Sequence, residues 1–325
     1  MKSLQEFESF YNQSLFREME ALDERRKKVL KRLLSIIIGT GGSMLLSVLA
    51  AIYLVSPEKD QHFIMVFVAP VVIFLLGVLA WSVWGRDKNF VADFKRQLIE
   101  RIIHFISPDL TYQPYNFIGI DTFEQSRLFL TKIDRYNGDD YVFGQIDKTQ
   151  FWFSEIKTEY KTTTSKGQTQ WHTIFKGLFF VADFNKHFEG CTVVLPNRLG
   201  RGAIARILQK VNLSRREKLV KLEDPEFNKY FVVYGDDQIE SRYVLSTSLM
   251  QRLIDFRRKH GNPLYVSFVS SFLFLAIGYT KDLFEPSYFR TLTKFESVKP
   301  YFEDISLAVG IVEDLNLNTR IWTKQ

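Results

Sequence analysis

Leu33–Val55, LLSIIIGTGGSMLLSVLAAIYLV, and Phe63–Trp84, FIMVFVAPVVIFLLGVLAWSVW, are two apolar runs standing almost back to back in a chain of 325 residues. Each is about 22 residues long and carries no Asp, Glu, Lys, Arg or His. A helix of that length crosses a hydrocarbon core of ~30 Å, so the pair predicts a two-helix transmembrane hairpin over residues 33–84. The preceding stretch is rich in Glu as well as Lys and Arg, and the first run exceeds the usual signal-peptide core, so retention in the mature protein is expected. Arg25, Arg26, Lys27, Lys28, Lys31 and Arg32 abut the first run, and Arg86 and Lys88 follow the second. The loop between them, residues 56–62, holds only Lys59 against Glu58 and Asp60. Basic flanks stay inside, which predicts a multi-pass membrane protein with both termini cytosolic.

Within the first run Ser35, Gly39, Ser43 and Ser47 recur every fourth residue and share one helix face, where small side chains let another helix approach closely. The antiparallel second run is the expected partner, and a second copy of the chain the competing one. Neither run holds an ionisable residue, which argues against a proton or ion pathway.

Outside the runs the pattern is that of an α+β protein. Leu4, Phe7, Tyr11, Leu15, Met19 and Leu22 step by three or four residues and predict an amphipathic helix in segment 1–32. Val91, Phe94, Leu98, Ile102 and Phe105 predict a second in segment 85–109, ended at Ser107-Pro108. Residues 110–325 follow as a mixed α/β domain with antiparallel sheets, divisible at residues 110–216 and 217–325. Its strands are read at Tyr141–Asp147, Gln150–Thr162, Trp171–Asp183 and Cys191–Leu195, with the polar tip Thr163–Gln170 joining two long ones. Further strands are expected at Tyr230–Tyr234, Leu264–Val269 and Phe272–Tyr279, the last two a hairpin about Ser270-Ser271. Ser246 or Ser248 caps a helix that Gly261 closes, and Pro300 is read as opening the final helix.

Several strings are recognisable: Glu6–Asn12 (EFESFYN), Phe175–Asn185 (FKGLFFVADFN), Leu222–Phe227 (LEDPEF), Val233–Gln238 (VYGDDQ), Lys281–Pro286 (KDLFEP) and Ile311–Trp322 (IVEDLNLNTRIW). With the two early apolar runs they resemble an uncharacterised bacterial family of two-span inner-membrane proteins, domain of unknown function 3137, and the resemblance implies placement in a bacterial cytoplasmic (inner) membrane. The family has no assigned reaction, so the resemblance transfers no catalytic residue.

The net charge is +6, and the basic residues cluster. Arg25, Arg26, Lys27 and Lys28, with Arg198, Arg201, Arg206, Arg215 and Arg216, are candidates for binding lipid headgroups or other anions. Aromatic residues are missing from the second cluster, so no nucleic acid is expected as a partner. The acidic doublets Glu223-Asp224 and Asp236-Asp237 are the candidate acidic site, joined by Glu285, Glu313 and Asp314 if carboxylates converge. Helix caps and turns also favour Asp at such places. The one cysteine, Cys191, and five histidines without paired spacing exclude the usual zinc motifs. No phosphate-binding loop or hydrolase nucleophile motif is present. No metal and no cofactor is expected. The function predicted on these grounds is a membrane-anchored interaction or scaffold module, binding lipid, a protein partner or a second copy. The rival is a tethered enzyme working through clustered carboxylates on a lipid, peptide or nucleotide.

Overall fold

The computed structural model describes residues 2–54, 71–77, 88–184, 189–197 and 218–317. The chain divides into two units, one made of residues 102–284 and 301–325, the other of residues 2–101 and 285–300.

The first unit is built on a nine-stranded antiparallel sheet. Its strands are β1 (Thr111–Gln113), β2 (Arg135–Ile146), β3 (Thr149–Thr163), β4 (Thr169–Asp183), β5 (Cys191–Pro196), β6 (Lys218–Val220), β7 (Phe231–Gly235), β8 (Leu264–Val269) and β9 (Phe272–Gly278). Their order is β1-β2-β3-β4-β9-β8-β5-β7-β6. The late hairpin β8–β9 therefore lies between β4 and β5, and the parts before and after residue 216 share one sheet. That hairpin turns through Ser270 and Ser271, both at positive φ, 49° and 72°, as a two-residue loop between twisted strands requires. Alternate residues of β3, β4 and β9 point to opposite faces. Ile156, Phe179, Val181, Phe274 and Ala276 gather on one face with Ile118, Phe123 and Leu128. Phe151, Phe153, Phe180 and Leu275, of the other parity, are equally buried. Gly177 in β4 sits at φ 148°, and a Cβ there would collide with the carbonyl oxygen of Ile277. Only glycine lets the two backbones come so close.

Helices frame the sheet. Those within this unit include α5 (Ile120–Gln125), α6 (Pro225–Tyr230), α7 (Gln238–Val244) and α8 (Thr247–His260), preceded in the chain by α1 (Leu4–Phe10), α2 (Phe16–Leu54), α3 (Lys88–Phe94) and α4 (Glu100–Ile106). Helix α8 starts after Ser246 and ends at Gly261 in the left-handed conformation, φ 71°, the stop a C-terminal glycine provides. The last helix, α9, runs Phe295–Asp314 and contains Pro300, so it begins five residues before the proline read as its start. Phe295 packs against Phe7 and Tyr11, ring centroids 5.7 and 5.8 Å away, which anchors the first turn without the bond Pro300 cannot make.

The second unit is helical. It comprises α1 (Leu4–Phe10), α2 (Phe16–Leu54), α3 (Lys88–Phe94) and the start of α4 (Glu100–Ile106). Two π-helical turns, Tyr11–Leu15 and Lys95–Ile99, join α1 to α2 and α3 to α4. Ser3 and Glu6 form a reciprocal capping box at the start of α1. Phe7, Tyr11, Leu15, Met19 and Leu22 are buried, as are Phe94, Leu98 and Ile102, so both amphipathic faces pack inward as their spacing predicts. Tyr11 donates its hydroxyl to the Leu292 carbonyl at 2.8 Å.

The transmembrane expectation is corrected. Among the described residues no helix is long and apolar enough to cross a membrane, which overturns the two-helix transmembrane hairpin and the multi-pass inner-membrane placement drawn from it. Helix α2 is unbroken from Phe16 to Leu54, so the charged segment up to Arg32 and the apolar segment after it are one element. Of the second run only residues 71–77 are described, as two helical turns. Gly77 meets α2 at Thr40, whose side chain a Cβ would strike. Ile38, Leu45, Phe74 and Leu75 are exposed.

Candidate functional site

The densest group of chemically capable side chains was not among the sequence candidates. Asp139, Asp140 and Glu155 bring carboxylate oxygens within 4.8 Å of one another. Register does this: Asp139 of β2 lies opposite Glu155 of β3, and the ladder then slips between Asp139 and Val142. The slip is a bulge that re-aims the strand, and Asp140 sits in it at φ 59°, fully buried. The Tyr112 hydroxyl donates to Asp140. Glu155, 6% exposed, accepts the backbone N–H of Leu283 at 2.8 Å. Burial pushes the Glu155 carboxyl up to about 7, Asp139 and Asp282 adding to the shift while the Leu283 N–H and Lys176 oppose it. Three such carboxylates are the described residues with the donor set of an oxygen-ligated divalent cation. They equally suit a shared proton, since adjacent buried carboxylates do not all ionise at once.

The predicted acidic doublets do not converge. Asp224 caps α6, accepting from Glu226 N and Phe227 N at 2.9 and 3.0 Å. Asp237 caps α7, accepting from Ile239 N and Glu240 N at 2.6 and 2.9 Å. Asp236 accepts from Cys191 N and pairs with Arg127, while Glu240 takes the N–H groups of Glu189 and Gly190. Together they pin the chain where it enters β5. Glu223 is exposed. Glu285 pairs with the buried Lys95 at 3.0 Å. Glu313 and Asp314 line a cavity of about 300 Å³ with Arg252, Asp255, Phe256 and Lys259, where Arg252 donates to the Asp314 carbonyl.

Nor does the first basic cluster present four open cations. Arg26 is buried, 2.7 Å from Asp23 and donating to the Tyr288 carbonyl. Arg25 pairs with Asp93, and Lys27 with Glu24 and Asp23. Lys28 is exposed. Burial alone would raise the Asp23 carboxyl, but bonds from Arg26, Leu292 N and the Thr291 hydroxyl outweigh it and hold the group at about 2. Arg198, Arg201, Arg206, Arg215 and Arg216 lie outside the described residues. On the small-residue face, Ser35 bonds back to the Arg32 carbonyl, Gly39 has open space around it, and the side chains of Ser43 and Ser47 are outside the description.

A second feature emerges where β3 and β4 outrun the sheet. They pair continuously from Thr163↔Thr169 inward, but β9 borders β4 only from Gly177 to Asp183. Its outermost part, residues 160–163 and 169–173, has no buried residue. Trp171 stays 41% exposed, with the Arg135 guanidinium 3.9 Å above its ring. Arg135 and Lys157 both pair with Glu159, and the Tyr160 and His172 rings stack at 5.0 Å. The sequence placed both strands this far out, to Thr162 and from Trp171 with Thr163–Gln170 as the tip, and the structure agrees within two residues; what it did not show is that β9 borders only the inner part of β4.

Comparison with known proteins adds little. No curated protein matches the chain. A solved structure, the mycobacterial trehalose monomycolate transport factor A, TtfA, is similar at a TM-score of 0.33 and 10% identity, over 66% of this chain and 95% of that one. Residues 173–317 match the family described as protein of unknown function (DUF3137), an uncharacterised domain family.

Proposed function

We propose that this protein acts by binding a protein partner and carries out no reaction of its own, with the β3–β4 hairpin as the contacting element. The observation that carries this reading is the reach of that hairpin beyond the sheet, with Trp171 exposed and held under Arg135. An aromatic ring fixed by a cation offers contact area at small entropic cost, and Trp and Arg dominate binding energies at protein interfaces. The rest of the sheet supplies the rigid base that a binding element needs. Of the carboxylates the sequence singled out, Asp224, Asp236, Asp237 and Glu285 are spent on caps and ion pairs at separate places, and in the buried cluster Asp140 and Glu155 are held by the Tyr112 hydroxyl and the Leu283 N–H.

The test uses the full chain and a shortened form in which Tyr160–His172 is replaced by Asn-Gly. Glu159 and Thr173 are already cross-strand partners, so a two-residue turn closes the strands there. Peptides selected from a random phage-displayed library on the full chain are expected to lose binding to the shortened form. Selected peptides that bind both forms equally would overturn the reading.

A further inference from the structure

The two sides of the overhanging hairpin are finished differently. On the β3 side, Asp134 donates its N–H to the Glu159 carbonyl and takes the Lys161 N–H on its carboxylate at 2.9 Å, closing that edge. On the β4 side, Tyr279 N–H reaches the Lys176 carbonyl, and beyond it no strand lies beside Thr169–Phe175 among the described residues. The ladder with β3 is regular over Thr169–Thr173 and shifts between Thr173 and Phe175. An unpaired, regular edge is a template for another strand. Both true ends of the sheet, β1 and β6, are only three residues long. The β4 overhang is thus longer than either end strand.

Resting on the binding-module reading above, we propose that an extended, acidic segment of a partner protein adds to β4 along Thr169–Thr173 as a further strand. Charge selects the occupant. Arg135 of β2, Lys157 and Lys161 of β3 and Lys166 of the turn outnumber Asp134 and Glu159 at this end of the hairpin, with Arg135 and Lys157 already paired to Glu159, so the end carries a net positive charge. A second copy docking edge to edge would bring two such net positive ends together, which like-charge repulsion disfavours. The same lysines favour an incoming strand that carries Glu or Asp. Backbone bonds along the edge supply affinity and the flanking side chains specificity, the general scheme of strand addition.

The test binds a synthetic heptapeptide alternating Glu with Val and Thr, and its Lys counterpart, to the full chain. The acidic peptide is expected to slow amide exchange at Thr169–Thr173 and to weaken in about 0.5 M salt. The Lys peptide should bind about tenfold more weakly or not at all. Of two neighbouring strand residues one N–H faces β3 and the next faces outward, so Gln170→Pro and Trp171→Pro form a pair, with Trp171→Ala as the control for the lost indole. The variant whose unfolding midpoint stays at the parent value should lose about tenfold in affinity, the worth of one or two net hydrogen bonds. Equal binding of both peptides overturns the proposal, as does protection elsewhere than on β4, a dimer formed through this edge, or tighter binding of a single-stranded oligonucleotide. Peptides selected from the library that need the hairpin but ignore the proline would sink strand addition and leave the binding-module reading standing.

Discussion

Replacing Glu155 by Gln should abolish a pH dependence that the wild-type chain shows between acid and neutral solution. Glu155 lies buried opposite Asp139, beside Asp140, and its carboxyl is raised from 4.5 to about 7, burial being the largest cause. A group whose folded value exceeds its unfolded one binds more protons in the folded state, so stability falls as the pH rises through that window. The contribution is complete below about 4.5 and gone above about 7. A shift of about 2.5 units at 1.36 kcal/mol each corresponds to about 3 kcal/mol, an order-of-magnitude figure. Gln keeps an oxygen for the Leu283 N–H and cannot ionise. At pH 8 the variant should therefore exceed the wild type by up to about 3 kcal/mol, and near pH 5 the two should differ little. In urea this difference moves the midpoint by about 1 M for a domain of this size. His260 titrates nearby with the opposite sign, because burial and Lys259 lower its imidazole; it is common to both proteins and cancels in the comparison. Unfolding curves at pH 5, 6, 7 and 8, with exchange of the Leu283 amide as a local readout, test the reasoning. A wild-type-to-variant gap that stays constant across the series would refute it.

Three further outcomes follow from single contacts. Asp224→Ala and Asp237→Ala each remove a carboxylate that caps two backbone N–H groups, and each should cost about 1 kcal/mol in denaturant unfolding; a loss-free variant would show that the doublet serves something other than its helix. Gly177→Ala places a Cβ on the Ile277 carbonyl at positive φ and should cost about 3 kcal/mol or more, or prevent folding, as judged by soluble yield and thermal midpoint. Asp23, held at about 2 against an ordinary 3.8, contributes about 2 kcal/mol above pH 4 that disappears as the pH falls through 2; acid titration of Asp23→Asn should lack that transition.

What the sequence made legible was local. The hairpin about Ser270-Ser271, the aromatic strands on either side of Thr163–Gln170 and the Asp-capped helices follow from alternation, turn chemistry and caps, each read within a few residues. The carboxylate cluster was illegible for the same reason. Asn137-Gly138-Asp139-Asp140 has the composition of a turn, yet β2 passes through it, and only the register with a strand beyond the next turn places Glu155 opposite. The strand order was hidden too, since nothing local says that β8 and β9 enter between β4 and β5. Charge counting failed differently. Arg25, Arg26 and Lys27 read as a free basic patch because their neutralising partners include Asp93 and the Tyr288 carbonyl, distant in sequence. Hydropathy likewise saw two apolar runs and could not see that the first continues a charged helix without a break.

The same contrast separates residues that hold this fold from those that can meet another molecule. Asp23, Asp224 and Asp237 each receive backbone N–H groups within their own unit, so their charge is already answered and their loss is felt as stability. The open edge of β4 has the reverse character: its side chains are ordinary, and what is unanswered among the described residues is the backbone itself. A buried unmet N–H costs about 1–3 kcal/mol, whereas one in water costs nothing until it is covered. An edge kept in water, at the net positive end of a hairpin rooted in a buried sheet, can therefore persist without penalty. Any strand that covers it must bring both the backbone pairing and the negative charge.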